Sequence, residues 1–289
     1  MIYRHLRFPL GLPKAVTFSY DDGTEYDIKL VKILNKYGIK CTFNINSGYV
    51  PEKSGEHRLS IEEMKEYFVH YGHEIAVHGE FHKAPGKSRP IDGIKDVLNC
   101  RLFLEEKFGR IIRGMAYPDS GIRTFSNNVD YETVRNYLID LGIAYARALG
   151  KDNDLFELPQ DWYSWYPTAH HDNPEIMDYI EKFNADFATV DYPSSRTPQL
   201  FYVWGHSFEF ENFGNWNHLE EICEKLGNKN DVWYATNIEI FDYVDAYNSL
   251  VFSADGKRVY NPTVTEVWFE IDFKTFSVKP GQTVLLPVE

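Results

Sequence analysis

Cysteine is scarce in this chain: three thiols, Cys41, Cys100 and Cys223, are spread over 289 residues. That excludes a disulfide framework and a thiolate zinc site, both of which need paired or clustered cysteines. A reduced, cytoplasmic setting is the resulting expectation. Long apolar runs are missing too. No stretch approaches the roughly 20 residues that cross a bilayer, and residues 1–13, with Arg4, His5 and Arg7, hold no signal-like apolar block. Positive charge is in deficit, with Lys plus Arg at 30 against 43 for Asp plus Glu and a net charge of −13. Nucleic acid and anionic membrane, both of which need surface cations, are therefore excluded as non-specific partners. A neutral or cationic substrate is not. Internal repeats and low-complexity tracts are also absent.

What the chain has in excess is aromatic residues: 20 Tyr, 20 Phe and 6 Trp, or 16%. Rings of this kind stack on the apolar faces of sugars, and a large aromatic core explains the same count. The length allows one large α/β barrel or two domains. Strand-like stretches at 15–20, 40–46, 73–77, 111–117, 143–148, 200–205 and 232–235 alternate with helical ones at 26–36, 60–71, 92–108, 131–141, 175–183, 217–226 and 237–248. Strands separated by helices of ten or so residues predict parallel β-α units, hence a closed barrel or a doubly wound sheet. From about residue 249 the rhythm changes to hairpin chemistry around Asp255-Gly256 and alternating strands. The reading is a body of residues 1–248 with a small antiparallel β appendage, 249–289, packed on it.

The chemistry gathers at predicted strand ends. Ala15 to Tyr20 run into Asp21-Asp22-Gly23. Adjacent carboxylates repel unless a cation or a shared proton divides their roles, so Asp22 is a candidate metal ligand and Asp21 a proton acceptor. A plain Asp-Gly turn explains the same residues. His78-Gly79-Glu80-Phe81-His82 puts two imidazoles four apart, on one face if the segment is a helical turn. It is not the zincin pattern, which has Glu directly after the first His. Asp22, His78 and His82 together would make a two-histidine, one-carboxylate set. Ala116-Tyr117-Pro118-Asp119, Asp161-Trp162 and Trp204-Gly205-His206 complete the series. Barrel enzymes collect catalytic groups after their strands.

Ser19-Tyr20-Asp21-Asp22-Gly23, His78-x-x-x-His82, Tyr117-Pro118, Asp161-Trp162 and Trp204-Gly205-His206 resemble, in order, the five motifs of the polysaccharide deacetylases, the NodB-homology carbohydrate esterases. The resemblance spans roughly residues 10–245. It implies a distorted (β/α)7 barrel and one divalent metal, zinc before cobalt or nickel, on Asp22, His78 and His82. It further implies Asp21 as base toward the attacking water, His206 as general acid and Asp161 as the carboxylate that tunes it. The backbone N–H of Asp119 would help to hold the oxyanion, Tyr117 would bind substrate, and Trp162 and Trp204 would wall the acetyl pocket. Three positions depart from the family pattern. Gly79 stands where a Ser or Thr braces the site, Trp204 where a small or aliphatic residue is usual, and Ala116 where an Arg lies near the base. Arg113 and Arg123 are the candidates to replace that Arg. His170-His171-Asp172 reads as a loop and helix cap at the rim of the cleft. The implied activity is removal of acetyl groups from N-acetylated sugars or glycans. An O-acetyl esterase, a small-amide hydrolase and a non-catalytic glycan binder stay open, as does a homo-oligomeric state.

Overall fold

The computed structural model describes residues 3–51 and 57–287. Along the chain come β1 (Arg4–Arg7), β2 (Lys14–Asp21), α1 (Asp27–Lys36), β3 (Cys41–Ile45), α2 (Ile61–Met64) and β4 (Glu74–Val77). Next are α3 (Pro90–Phe108), β5 (Gly114–Ala116), α4 (Tyr131–Asp140), β6 (Tyr145–Arg147), β7 (Ala169–His170), α5 (Ile176–Asn184) and β8 (Gln199–Gly205). Then follow α6 (Ser207–Phe213), α7 (Trp216–Leu226), β9 (Val232–Tyr234) and α8 (Asn237–Asn248). The chain ends on β10 (Val251–Phe252), β11 (Arg258–Tyr260), β12 (Val267–Ile271), β13 (Lys274–Val278) and β14 (Thr283–Leu285).

The parallel strands run in the order β6-β5-β4-β3-β2-β8-β7 and curl into an open, distorted (β/α)7 barrel. β2 is its hub. One edge pairs along its length with β8, while the other is shared, Lys14–Val16 pairing with β9 and Phe18–Asp21 with β3. All eight residues of β2 are buried, as befits a parallel strand covered on both faces. Side chains alternate between those faces. Val16, Phe18 and Tyr20 point outward into the core cluster that also holds Leu30, Val31 and Leu34 of α1. Ala15, Thr17, Ser19 and Asp21 therefore point into the barrel, polarity rising toward the strand's exit. The same parity sends Tyr145 and Arg147 inward on β6, Tyr202 and Trp204 on β8 with His206 just past its end, and Glu74 on β4 with His78 just past its end. The barrel interior thus packs Ala15, Tyr145, Trp165, Leu200 and Tyr202 toward one end, with buried Glu74 accepting from Tyr145, and gathers most of its charge at the other.

Helix ends follow local chemistry. Ser60 and Glu63 form a capping box at α2, and Gly109, at φ 63°, closes α3. The helix expected over 60–71 departs from α geometry after Met64, with Lys65–Val69 in a π turn. The terminal β region is two antiparallel sheets, β1-β12-β13 and β10-β11-β14. One of its strands comes from the other end of the chain: β1 pairs with β12, Arg4 opposite Ile271. Arg7 and Arg196 clamp buried Glu270 at 3.0 and 2.5 Å, and Tyr243 on α8 donates to the Arg7 carbonyl. These contacts fix the sheets against the barrel.

Candidate active site

The exit ends of β2, β4, β6 and β8 converge on one cluster. After β2 the backbone enters the left-handed region at Asp22 (φ 82°) and Gly23 (φ 64°). That turn brings the Asp22 carboxylate back over the barrel mouth, where Oδ1 is buried and accepts no hydrogen bond. Arg58 approaches the same oxygen at 3.5 Å. His78 follows β4 with its side chain 1% exposed. Its Nδ1 donates to the Ala116 carbonyl at 2.9 Å, which fixes the tautomer and turns the Nε2 lone pair into the cluster. That Nε2 has no partner either. The His82 ring lies 4.9 Å from that of His78, at 76°, and ligand atoms of Asp22, His78 and His82 all lie within 4.8 Å of one another.

The two imidazoles meet without a helical turn, contrary to the spacing argument. Residues 78–82 form a tight loop, with Gly79 at φ 75° and His82 at φ 54°. Asp96 on α3 braces that loop, its carboxylate accepting from Phe81 N–H at 3.0 Å and its carbonyl from Glu80 N–H at 3.1 Å. A Cβ at position 79 would stand 2.3 Å from Asp96 Oδ2. Glycine here is thus the counterpart of a carboxylate brace that occupies the space a hydroxyl residue would need. A buried anion, a buried imidazole lone pair and a second imidazole facing one point fit a divalent cation, because each orphaned atom otherwise costs about 1–3 kcal/mol. Burial holds the His78 pKa below its ordinary value, against the pull of Asp21 and Asp22, so the ring stays a neutral donor.

Asp21 sits beside this set, its side chain 3% exposed. Burial alone would raise its pKa; the charge of Arg147, with His206 behind it, outweighs burial and holds it at about 2. Arg147 reaches Asp21 Oδ2 at 2.5 Å and is itself fully buried, while Asn44 donates to Oδ1 at 2.8 Å. The arginine missing at position 116 is therefore replaced from the adjacent strand, directly opposite Ala116 in register. Neither expected substitute does this. Arg113 pairs with Asp242, and Arg123 is exposed.

His206 leaves β8 with Nε2 3.8 Å from Asp21 Oδ2. Its other nitrogen faces Glu209 Oε1 at 3.3 Å, and Glu209 Oε2 accepts from the His206 backbone N–H at 3.0 Å. Burial lowers the His206 pKa, but Glu209 and Asp21 raise it on balance. The carboxylate beside this imidazole is thus Glu209, not Asp161. Asp161 accepts from Tyr131 at 2.5 Å and from Tyr163 N–H at 2.9 Å. Tyr163 in turn reaches the Ile143 carbonyl, at the entry end of β6. Trp162 belongs to that end too, packed on Trp165 and Phe241 at 4.9 and 5.0 Å, so it does not wall the cluster. Trp204 does: Arg147 lies 4.7 Å over its ring, which meets His170 edge-on at 4.6 Å. Tyr117 is buried in the outer core and donates to the Tyr163 carbonyl. Asp119 is exposed at φ 51°, and its N–H finds no acceptor among the described residues.

Residues 11–146 match the family model described as polysaccharide deacetylase. No curated protein matches the sequence. A putative polysaccharide deacetylase from Mycobacterium smegmatis, 18% identical, covers 84% of this chain and 94% of its own, with a TM-score of 0.55. The PuuE allantoinase, 14% identical, covers 81% and 91%, with a TM-score of 0.56. The Streptococcus pyogenes deacetylase PplD, solved with acetate and 18% identical, aligns over 46% of this chain and 55% of its own at a TM-score of 0.40. The resemblance carried by the sequence motifs is thereby borne out: residues 11–146 match the polysaccharide deacetylase family, and the barrel that contains them shares the fold of a putative member's solved structure.

Proposed function

We propose that this chain is a metal-dependent hydrolase that removes acetyl groups from N-acetylated sugars or glycans. The observation that supports it best is the convergence, at one barrel mouth, of three metal-type donors, an ionised carboxylate and a second imidazole across from that carboxylate. Asp22, His78 and His82 would hold one divalent cation, zinc by donor type, with cobalt or nickel able to replace it. Such an ion supplies Lewis acidity, polarising the acetyl carbonyl and easing deprotonation of water. Asp21 takes that proton as the C–O bond forms. Arg147 and Asn44 hold its carboxylate in place and keep it ionised, and its low basicity lets it return the proton readily. His206 Nε2 protonates the amine nitrogen as the C–N bond breaks, and Glu209 orients the ring for this from the other side. The exposed N–H of Asp119 is the donor for the carbonyl oxygen as charge develops on it, and Trp204 walls the acetyl group.

The same residues could cut an O-acetyl ester or a small amide, so the substrate needs a panel. Purified protein loaded with zinc or cobalt should release acetate from N-acetylglucosamine oligomers, with acetylated xylan as the ester arm. Asp21→Asn should abolish release while retaining the metal. Glycan binding without acetate from any substrate, metal bound, would make this a binding protein instead.

A further inference from the structure

A second cluster lies on the far side of His206. At the exit of β7 and the first turns of α6, His170, His171, Asp172 and Glu209 offer ligand atoms that all lie within 4.8 Å of one another. Nothing in the reaction above uses His171 or Asp172. His171 is 0% exposed, and its Nε2 has no hydrogen-bond partner. That nitrogen lies 3.4 Å from Asp172 Oδ2 and 3.4 Å from Glu209 Oε2. Ligands held about 2.0–2.1 Å from a tetrahedral ion stand about 3.3–3.4 Å from one another, so each carboxylate oxygen already stands at ligand spacing from His171 Nε2.

The ring is held rigidly. It stacks on Tyr20 at 2° and on Phe210 at a centroid distance of 4.0 Å. A Cβ on Gly205 would come within 1.9 Å of His171 Nδ1, so only glycine lets the strand pass. His171 Nδ1 lies 3.2 Å from the Tyr20 hydroxyl. With Nδ1 as donor in that bond, the Nε2 lone pair faces the two carboxylates. His170 plays a different part. Its Nδ1 accepts from Asp172 N–H, so its Nε2 carries a proton and donates to Glu209 at 3.1 Å. The charge balance points the same way. Among the described residues, no Lys or Arg comes within 4.0 Å of Asp172 or Glu209, whose only ion-pair partners are imidazoles.

We propose that His171 Nε2, Asp172 and a carboxylate oxygen of Glu209 bind a second divalent cation, with His170 bracing Glu209 from outside. This site does not depend on the first. It ties β7 to α6 and shares Glu209 with His206, so its loading draws carboxylate charge away from that imidazole.

The test is metal stoichiometry. Protein stripped with chelator, given Zn2+ in small excess and desalted, is assayed for zinc per chain, and Co2+ loading is followed by its visible absorption. Wild type should hold two equivalents, Asp172→Asn one, Asp22→Asn one and the double variant none. Asp172 is 30% exposed, so asparagine there leaves the fold intact, which thermal melting by circular dichroism verifies. One equivalent in wild type, unchanged in Asp172→Asn and lost in Asp22→Asn, overturns the second site and leaves the first standing. One equivalent lost in Asp172→Asn and kept in Asp22→Asn supports the second and overturns the first. No zinc in wild type overturns both.

Discussion

Replacing Arg147 by methionine keeps the bulk of the stem and removes the charge that governs Asp21. The two groups are 0% and 3% exposed and 2.5 Å apart. At an effective dielectric of about 20, their gross attraction is on the order of 7 kcal/mol. Desolvation of both ions offsets much of that, and removing one partner of a buried pair costs about 3–5 kcal/mol in practice. The pH dependence follows from the position of the Asp21 pKa, about 2, below the unfolded value of about 3.9. In wild type its ionisation therefore stabilises the fold above pH 4, by roughly 2–3 kcal/mol, and that is lost as pH falls from 4 to 2. Without Arg147, burial dominates and the folded pKa moves above 3.9, so the sign inverts. Stability is then greatest below pH 4 and is lost as pH rises through the new folded value. Urea denaturation of metal-free protein should show Arg147→Met weaker than wild type by about 3–5 kcal/mol at pH 7, with the gap closing toward pH 4. A gap of equal size at both pH values would refute the assignment of Arg147 as the counter-charge to Asp21. Acetate release should fall in step, and Arg147→Lys should recover part of both losses.

Arg147 also shows where sequence reasoning stops. The alternation of strands and helices, the strand at residues 15–20 and the candidate donors Asp22, His78 and His82 were legible because each sits in a local pattern: an apolar run ending in carboxylates, or paired histidines after a strand. Which strand supplies the arginine is a matter of register across the sheet. Local pattern carries none of that, since Ala116 and Arg147 are 31 positions apart in sequence and adjacent in space. One signal was present. A charged residue inside a predicted buried strand, on the same parity as Tyr145, must find a counter-ion. Glu209 was legible in hindsight as a residue three after His206, the reach of a capping box. Asp161-Trp162 misled because the motif match carried position without depth. The segment lies at the entry end of β6, and only the course of the chain reveals which end of the barrel it joins. β1 was invisible because a strand whose partners lie 261 to 267 residues away has no turn signal beside it.

Three further outcomes follow from contacts already described. Gly79→Ser puts a Cβ 2.3 Å from Asp96 Oδ2 at a left-handed φ, so it should lower stability by about 1–3 kcal/mol and weaken zinc affinity. Isothermal titration checks the latter, and unchanged affinity would remove Asp96 as the brace of the loop. Glu209→Gln should cut acetate release while sparing Asp22-site zinc, and should shift the basic limb of the pH–rate profile down, because Glu209 is part of what raises the His206 pKa; an unmoved limb would dismiss that role. Asp27 gives the third. It is fully buried on α1, and neither carboxylate oxygen has a hydrogen-bond partner. Burial, with the nearby charge of Asp22, pushes its pKa up to about 8. A folded value above the unfolded one means that stability is fully present below about pH 4 and is lost as pH rises toward 8, by up to about 5 kcal/mol. Asp27→Asn removes the titration, so its melting temperature should match wild type near pH 4 and exceed it increasingly up to pH 8. Zinc on Asp22 neutralises the charge that helps to raise the Asp27 pKa, so loading wild type with zinc should narrow that difference at pH 8. Parallel melting curves across the range, with or without zinc, would mean that Asp27 ionises freely and that the space behind Asp22 is wet.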